Sequence, residues 1–173
     1  MTGGRQLVPA TGESRWRVDP AGSRISFKAR WMFGTLTAEG VFERFGGWAL
    51  LREDGSLAGE LSIDPSSVNT GIRLRDHHLQ NRFFLDSANY PIITLASSHV
   101  VITSRPFRGV GSLSVRDRSV DVPIHGTAGV DVDQVILSGS ATLDIRQFGW
   151  PTAFGYIGRS LTVEGAIALE PHG

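Results

Sequence analysis

The chain has 173 residues, 17 Lys+Arg balanced by 17 Asp+Glu, and no cysteine. That length gives one domain able to bury a core unaided, and the missing cysteines exclude a disulfide framework, a thiolate zinc site and a cysteine nucleophile. Zero net charge without a basic run excludes the electrostatic footprint that nucleic acid requires.

Lys28 is the sole lysine; the arginine bias suits anion recognition, while the scatter of the arginines favours a solvated surface. Nowhere do about 18 apolar residues run together as a membrane helix would need. The polar stretch Met1–Ser14 lacks the apolar core of a secretory signal. These features predict a cytoplasmic protein with a flexible tail at 1–14 and a single domain at 15–170.

The dominant period is two, the mark of strands with one apolar and one wet face. Ile25, Phe27, Ala29 and Trp31 alternate with polar residues. Leu36, Ala38, Gly40 and Phe42 follow, and Phe45 falls on the opposite parity, which predicts a bulge or strand end near Glu43–Arg44. Leu57, Gly59, Leu61 and Ile63 form the next row. The period then fails over Thr70–Ala88, where Ile72, Leu79 and Phe83 sit near helical spacing. A short helical insertion is predicted there, with Thr70 as its cap and Pro91 restarting extended chain.

The run Ile92–Ile102 is apolar on both parities at its start, which predicts cover on its outer side. Four further alternating rows span 107–115, 120–130, 135–145 and 161–169. The fold class is therefore all-β: a single antiparallel barrel of about eight strands with a short helical insertion.

Glycine and alanine recur on the inferred inner face, including Ala38, Gly40, Gly59, Gly111, Gly126, Gly139 and Gly165. Removing side chains from a barrel interior leaves an apolar tube. Glycines in strands also mark bends or close backbone approach. The pattern alone leaves both readings open.

The stretch from Ser67 to Pro91 resembles the YceI-like family, with Asn69-Thr-Gly, Arg75-Asp-His-His-Leu79, Phe83-Phe84 and Tyr90-Pro91 matching its signature. Leu85 stands as an extra residue between Phe84 and Asp86. The opening Trp16-Arg-Val-Asp-Pro20, Gly111-Ser-Leu-Ser-Val115 and Asp144-Ile-Arg-Gln-Phe-Gly149 are similar to flanking elements of the same family. Departures are Asp117-Arg-Ser119 in place of Gly-Val-Thr, and Leu95 in place of an aromatic. The resemblance covers about Trp16–Leu169. It implies a lipocalin-like barrel that binds a polyisoprenoid or related isoprenoid lipid or quinone for transport, storage or sequestration. Many members are exported and several look dimeric, so a homodimer is a further expectation.

On that reading Phe27, Trp31, Phe42, Leu61, Leu79, Phe83, Phe84, Phe107 and Leu137 are the candidates for lining the cavity, because flat or branched apolar groups suit an isoprene chain. Arg75, Asp76, His78 and Arg146 are candidates for a head-group rim or for structural pairing, with Asp76 or Asp144 as partner for Arg146. No catalytic residue, metal or redox cofactor is expected. His77 and His78 point about 100° apart on a helix, and no histidine pair has the spacing of a helical zinc site. Two alternatives stand beside lipid binding. One is a protein-interaction module on the same frame. The other, less favoured, is a hydrolase using Asp76 and His78 with Ser66 or Ser97, which lacks a nucleophile-elbow motif.

Overall fold

The computed structural model describes residues 12–103, 105–131, 133–152 and 157–172. Alternating stretches form β1 (Ser14–Trp31), β2 (Leu36–Phe42), β3 (Phe45–Leu51) and β4 (Ser56–Ile63). The insertion contributes β5 (Val68–Asn69) and α1 (Arg73–Gln80). The rest is β6 (Ile93–Val101), β7 (Phe107–Val115), β8 (Arg118–Asp131), β9 (Gln134–Asp144) and β10 (Ile157–Pro171). All pairings are antiparallel, and β1, β3, β4, β6, β7, β8, β9 and β10 close into an eight-stranded ring through the β10–β1 contact. Closure removes the open edges that a sheet of this size would otherwise present.

β1 serves two partners on one side. Ser14–Arg17 pair with β3, and Ile25–Trp31 pair with β2. Between them the register against β10 jumps from Asp19 to Arg24. The Ser23 hydroxyl covers the gap, accepting from Ala168 N at 2.9 Å and donating to Asp19 O at 2.6 Å. The parity change at Phe45 has a similar cause. The strand breaks at Glu43–Arg44, and the buried Ser67 hydroxyl accepts from both freed amides at 3.1 and 2.9 Å. Ser67 is 3% exposed, and the hydrogen bonds of its hydroxyl with Glu43, Arg44 and Asp64 explain why a polar group is tolerated there.

The interior is packed at both ends. At one end Val18, Leu51, Ile102, Phe107 and Val135 form a core cluster where β1 begins. At the other, Ile25, Ile63, Leu85, Leu143 and Phe148 form a second cluster beneath the helical insertion. Leu61, Ile124 and Ile167 touch both.

The inner-face glycines divide into three kinds. A Cβ at Gly40 would meet the Phe27 ring at 2.5 Å, and one at Gly111 would meet Leu95 and Ile124 at 2.7 Å, so neighbouring side chains occupy that space. At Gly59 and Gly126 the obstacle is backbone: the Trp48 carbonyl at 2.6 Å in the first case, the Ser138 carbonyl in the second. These are the close approaches of a strongly coiled sheet. Gly165 is different, because a Cβ there would find only Ile167 at 3.8 Å. Gly126, Gly139 and Gly165 pair side by side across β8, β9 and β10, leaving a strip of wall without side chains.

Candidate functional site: an apolar cavity inside the barrel

Between the two clusters lies a cavity of about 380 Å³, within the usual range of ligand pockets. Positions on every barrel strand and on β2 line it, Ala49 for β3 among them, with Val68, Leu79, Phe84 and Leu85 from the insertion and Ile145 and Trp150 from the chain after β9. The wall is almost wholly apolar, with Ser97, Ser140, Glu60 and Glu164 as its polar members. Such a wall offers a ligand dispersion contact and exclusion from water, and little that would orient a polar group.

Of the sequence candidates, Phe27, Phe42, Leu61, Leu79, Phe84, Phe107 and Leu137 lie on the cavity wall. Phe27 and Phe42 pack with ring centroids 5.5 Å apart. Trp31 and Phe83 do not join them. Trp31 stands at the end of β1, paired with Leu36 and Ile157, and is not part of the cavity wall. Phe83 is 58% exposed, with the Arg82 guanidinium 5.0 Å from its ring centroid. The helix explains this. It spans Arg73–Gln80, shorter than the predicted 70–88, because the Asn81 side chain accepts from Phe83 N at 2.9 Å and turns the chain. From there to Tyr90 the chain runs in turns, so helical spacing no longer places Phe83 with Leu79.

Thr70 does not cap the helix. Ile72 holds that position with no side-chain hydrogen bond. Instead Asp76, in the first turn, accepts from Thr70 N at 2.8 Å and from Thr70 Oγ1 at 2.5 Å. Arg75 donates to Thr70 Oγ1 at 2.8 Å and to Thr70 O at 2.9 Å. This clasp fixes α1 to the end of β5 and engages Arg75 and Asp76 with the hydroxyl and backbone of Thr70. His78 is exposed on the same helix. Arg146 grips Asp144 with two bonds of 3.1 and 2.9 Å, and Arg159 adds a third at 2.8 Å. The Arg146 and Arg159 guanidiniums hold the Asp144 carboxyl well below the usual carboxylate range. Asp144 also accepts from Arg146 N at 3.0 Å, and Gly149 ends the turn at φ +74°. The Asp-Ile-Arg-Gln-Phe-Gly stretch is thus a self-bracing turn.

That turn delivers Trp150, whose indole nitrogen donates to Phe84 O at 2.7 Å. Leu85 N donates to Leu79 O at 3.0 Å. Together these seat the insertion on the barrel with Phe84 and Leu85 directed into the cavity wall. The extra residue Leu85 is 8% exposed and is part of that seat.

The hydrolytic constellation is not assembled. Asp76 is engaged by Thr70, Ser66 Oγ bonds Asp64 at 2.6 Å, and Ser97 Oγ donates to Val110 O at 2.9 Å. Ser140 Oγ and His125 Nε2 lie 3.0 Å apart, and among the described residues no carboxylate hydrogen-bonds that imidazole. No group of three His, Asp or Glu able to hold a metal occurs among the described residues.

The sequence model of the YceI-like domain matches residues 16–170. The chain belongs to the YceI family. No curated protein matches this YceI sequence. Solved structures share the fold, among them the three that follow. Burkholderia cenocepacia BcnA superposes with a TM-score of 0.79 at 16% identity, covering 87% of this chain and 98% of that one. A polyisoprenoid binding domain from Saccharophagus degradans, implicated in plant cell wall breakdown, gives 0.67 at 14% identity over 91% and 98% of the two chains. The Campylobacter jejuni YCEI protein gives 0.65 at 16% identity over 78% and 84%.

The residues that sequence reasoning missed fall into two groups. Leu113, Ile124 and Ile167 line the cavity from inward positions that the alternation already marked. Leu85 and Trp150 lie in turns, where no period exists to read.

Proposed function

We propose that this YceI protein binds a polyisoprenoid or related isoprenoid chain non-covalently in the barrel cavity, for transport, storage or sequestration. The observation that carries the reading is the apolar cavity of about 380 Å³ between two packed ends. The name of the Saccharophagus relative, a polyisoprenoid binding domain, supports the ligand class. Each methylene-sized group taken from water contributes about 0.8 kcal/mol, so a five-carbon unit gains about 4 kcal/mol before the chain's ordering cost. Phe27, Phe42, Phe84 and Phe107 supply flat contact surfaces, and Leu61, Leu79 and Leu137 fill the spaces between methyl branches. Binding of this kind needs no metal or redox group and no catalytic residue.

The test is a titration of purified protein with a polyprenol in the absence of detergent, followed by tryptophan fluorescence. Trp150 borders the cavity and reports occupancy. Saturable one-to-one quenching by polyprenol supports the reading. No response to any prenyl chain, with the barrel folded, overturns it.

A further inference from the structure

Among the described residues, seven of the ten large apolar side chains left exposed lie at one end of the barrel. Met32, Phe33 and Leu36 lie at the β1–β2 turn, Ile72 and Leu74 at the start of α1, and Phe83 and Ile92 beyond it. The strand directions put these segments together: β1 ends, β6 begins and β5 runs upward on this side. The other three exposed among the described residues, Trp48, Val101 and Val110, lie elsewhere on the strands. Leu74 is 76% exposed although its helix turns Leu79 into the cavity wall. An apolar surface of this kind marks a binding face.

Charge says what the face meets. The segments of this end, 30–36, 43–44, 64–92, 116–118, 144–152 and 157–159, carry nine arginines against six carboxylates. The opposite end, 12–19, 49–55, 98–103, 105–108, 129, 133–135 and 169–172, carries five against six. A chain of zero net charge is thus polarised along its barrel axis. Among the described residues Arg30, Arg73 and Arg82 have no ion-pair partner. They alternate with the exposed apolar groups, the pattern by which cationic heads reach lipid phosphates while apolar chains enter the interface. A second copy of the chain is the poorer occupant, because a two-fold contact would set this cationic face against itself.

We propose that this end docks on the surface of an anionic phospholipid bilayer, with the β1–β2 turn and the first turn of α1 entering the interface. Docking there brings the insertion that covers the cavity, Leu79 to Leu85, against the source of its lipid. That last step rests on the lipid-binding reading; the docking itself does not.

The experiment is flotation of the full chain with vesicles of phosphatidylcholine alone and with added phosphatidylglycerol, free of any isoprenoid. The wild type should float with the anionic vesicles, and less as salt rises. Arg73→Glu with Arg82→Glu should lower the partition by at least fivefold per arginine. Leu74→Glu with Phe83→Glu should lower it at least tenfold, and Leu74→Ser alone serves if the double variant fails to fold. Melting temperature and polyprenol uptake in free solution should stay as in the wild type. Failure of the wild type to float, or unchanged flotation of the charge and apolar variants, overturns the proposal. So does a change of oligomeric state in those variants without a change in flotation. Polyprenol uptake without flotation removes docking and leaves the cavity reading; flotation without uptake does the reverse.

Discussion

Gly165 and Gly126 flank Gly139 in the same inward row, yet the structure requires them to respond oppositely to a side chain. At Gly165 a Cβ makes ordinary contact with Ile167 at 3.8 Å and the rest of the side chain enters the cavity. Gly165→Leu should therefore keep or raise stability, by about 0.5–2 kcal/mol as cavity filling usually does. Its four carbons displace ligand surface at about 0.8 kcal/mol each, about 3 kcal/mol in all, so polyprenol affinity should fall roughly 100-fold. At Gly126 the first carbon collides with the Ser138 carbonyl and lies 2.7 Å from Gly139 Cα. Gly126→Ala should cost about 1–3 kcal/mol of stability, lowering Tm by several degrees, since a degree count of about 2–4 per kcal/mol applies at this size. Calorimetry and a fluorescence titration on both variants provide the check. A folded Gly165→Leu that binds prenyl chains as tightly as the wild type would refute the cavity as the binding site. A Gly126→Ala as stable as the wild type would refute the close-approach account.

Two further outcomes concern the cap, and a third concerns carboxylates at both ends of the barrel. Trp150→Phe keeps an aromatic group of smaller size and removes the 2.7 Å bond to Phe84 O; it should cost at least about 1 kcal/mol and raise hydrogen exchange over residues 81–90. Asp76→Asn should weaken both bonds to Thr70 and raise exchange in α1, with the strand amides of β8 and β9 unaffected. The third concerns acid. Asp144, Asp64 and Asp54 are all held below their ordinary carboxylate values, by Arg146 and Arg159, by Ser66, and by Ser56 respectively. A depressed folded pKa gives stability that is present above the unfolded value near 4 and lost as pH falls through the folded one. Melting temperature should thus be insensitive to these groups from pH 5 to 8 and fall below about pH 4. In Asp144→Asn the acid decline should be shallower.

Much of this was legible before any coordinates. Period-two rows placed the barrel strands and their inward faces, because one buried face makes register strict. The parity slip at Phe45 marked a real break, although the residue that heals it, Ser67, lies more than twenty positions away and carries no local signal. The glycine row was ambiguous in sequence for a physical reason: Gly126, Gly40 and Gly165 look alike as letters, and only the neighbours' positions separate close backbone approach, an occupied space and an open one. Phe27, Phe42, Leu61, Phe107 and Leu137 lie on the cavity wall at inward strand positions, Trp31 at the end of β1 does not, and Phe83 stands away from it because helical spacing stops at Asn81. The charged motif residues Arg75 and Asp76 turned out to be joined to each other through Thr70, a contact set by a tertiary turn rather than by spacing.

The most direct test of the central claim is native mass spectrometry of freshly purified protein, with the bound material then extracted and identified. The account predicts a mass increment matching one isoprenoid chain per barrel, lost from Gly165→Leu. A barrel that emerges empty, and remains empty after incubation with polyprenols of several lengths, would contradict it.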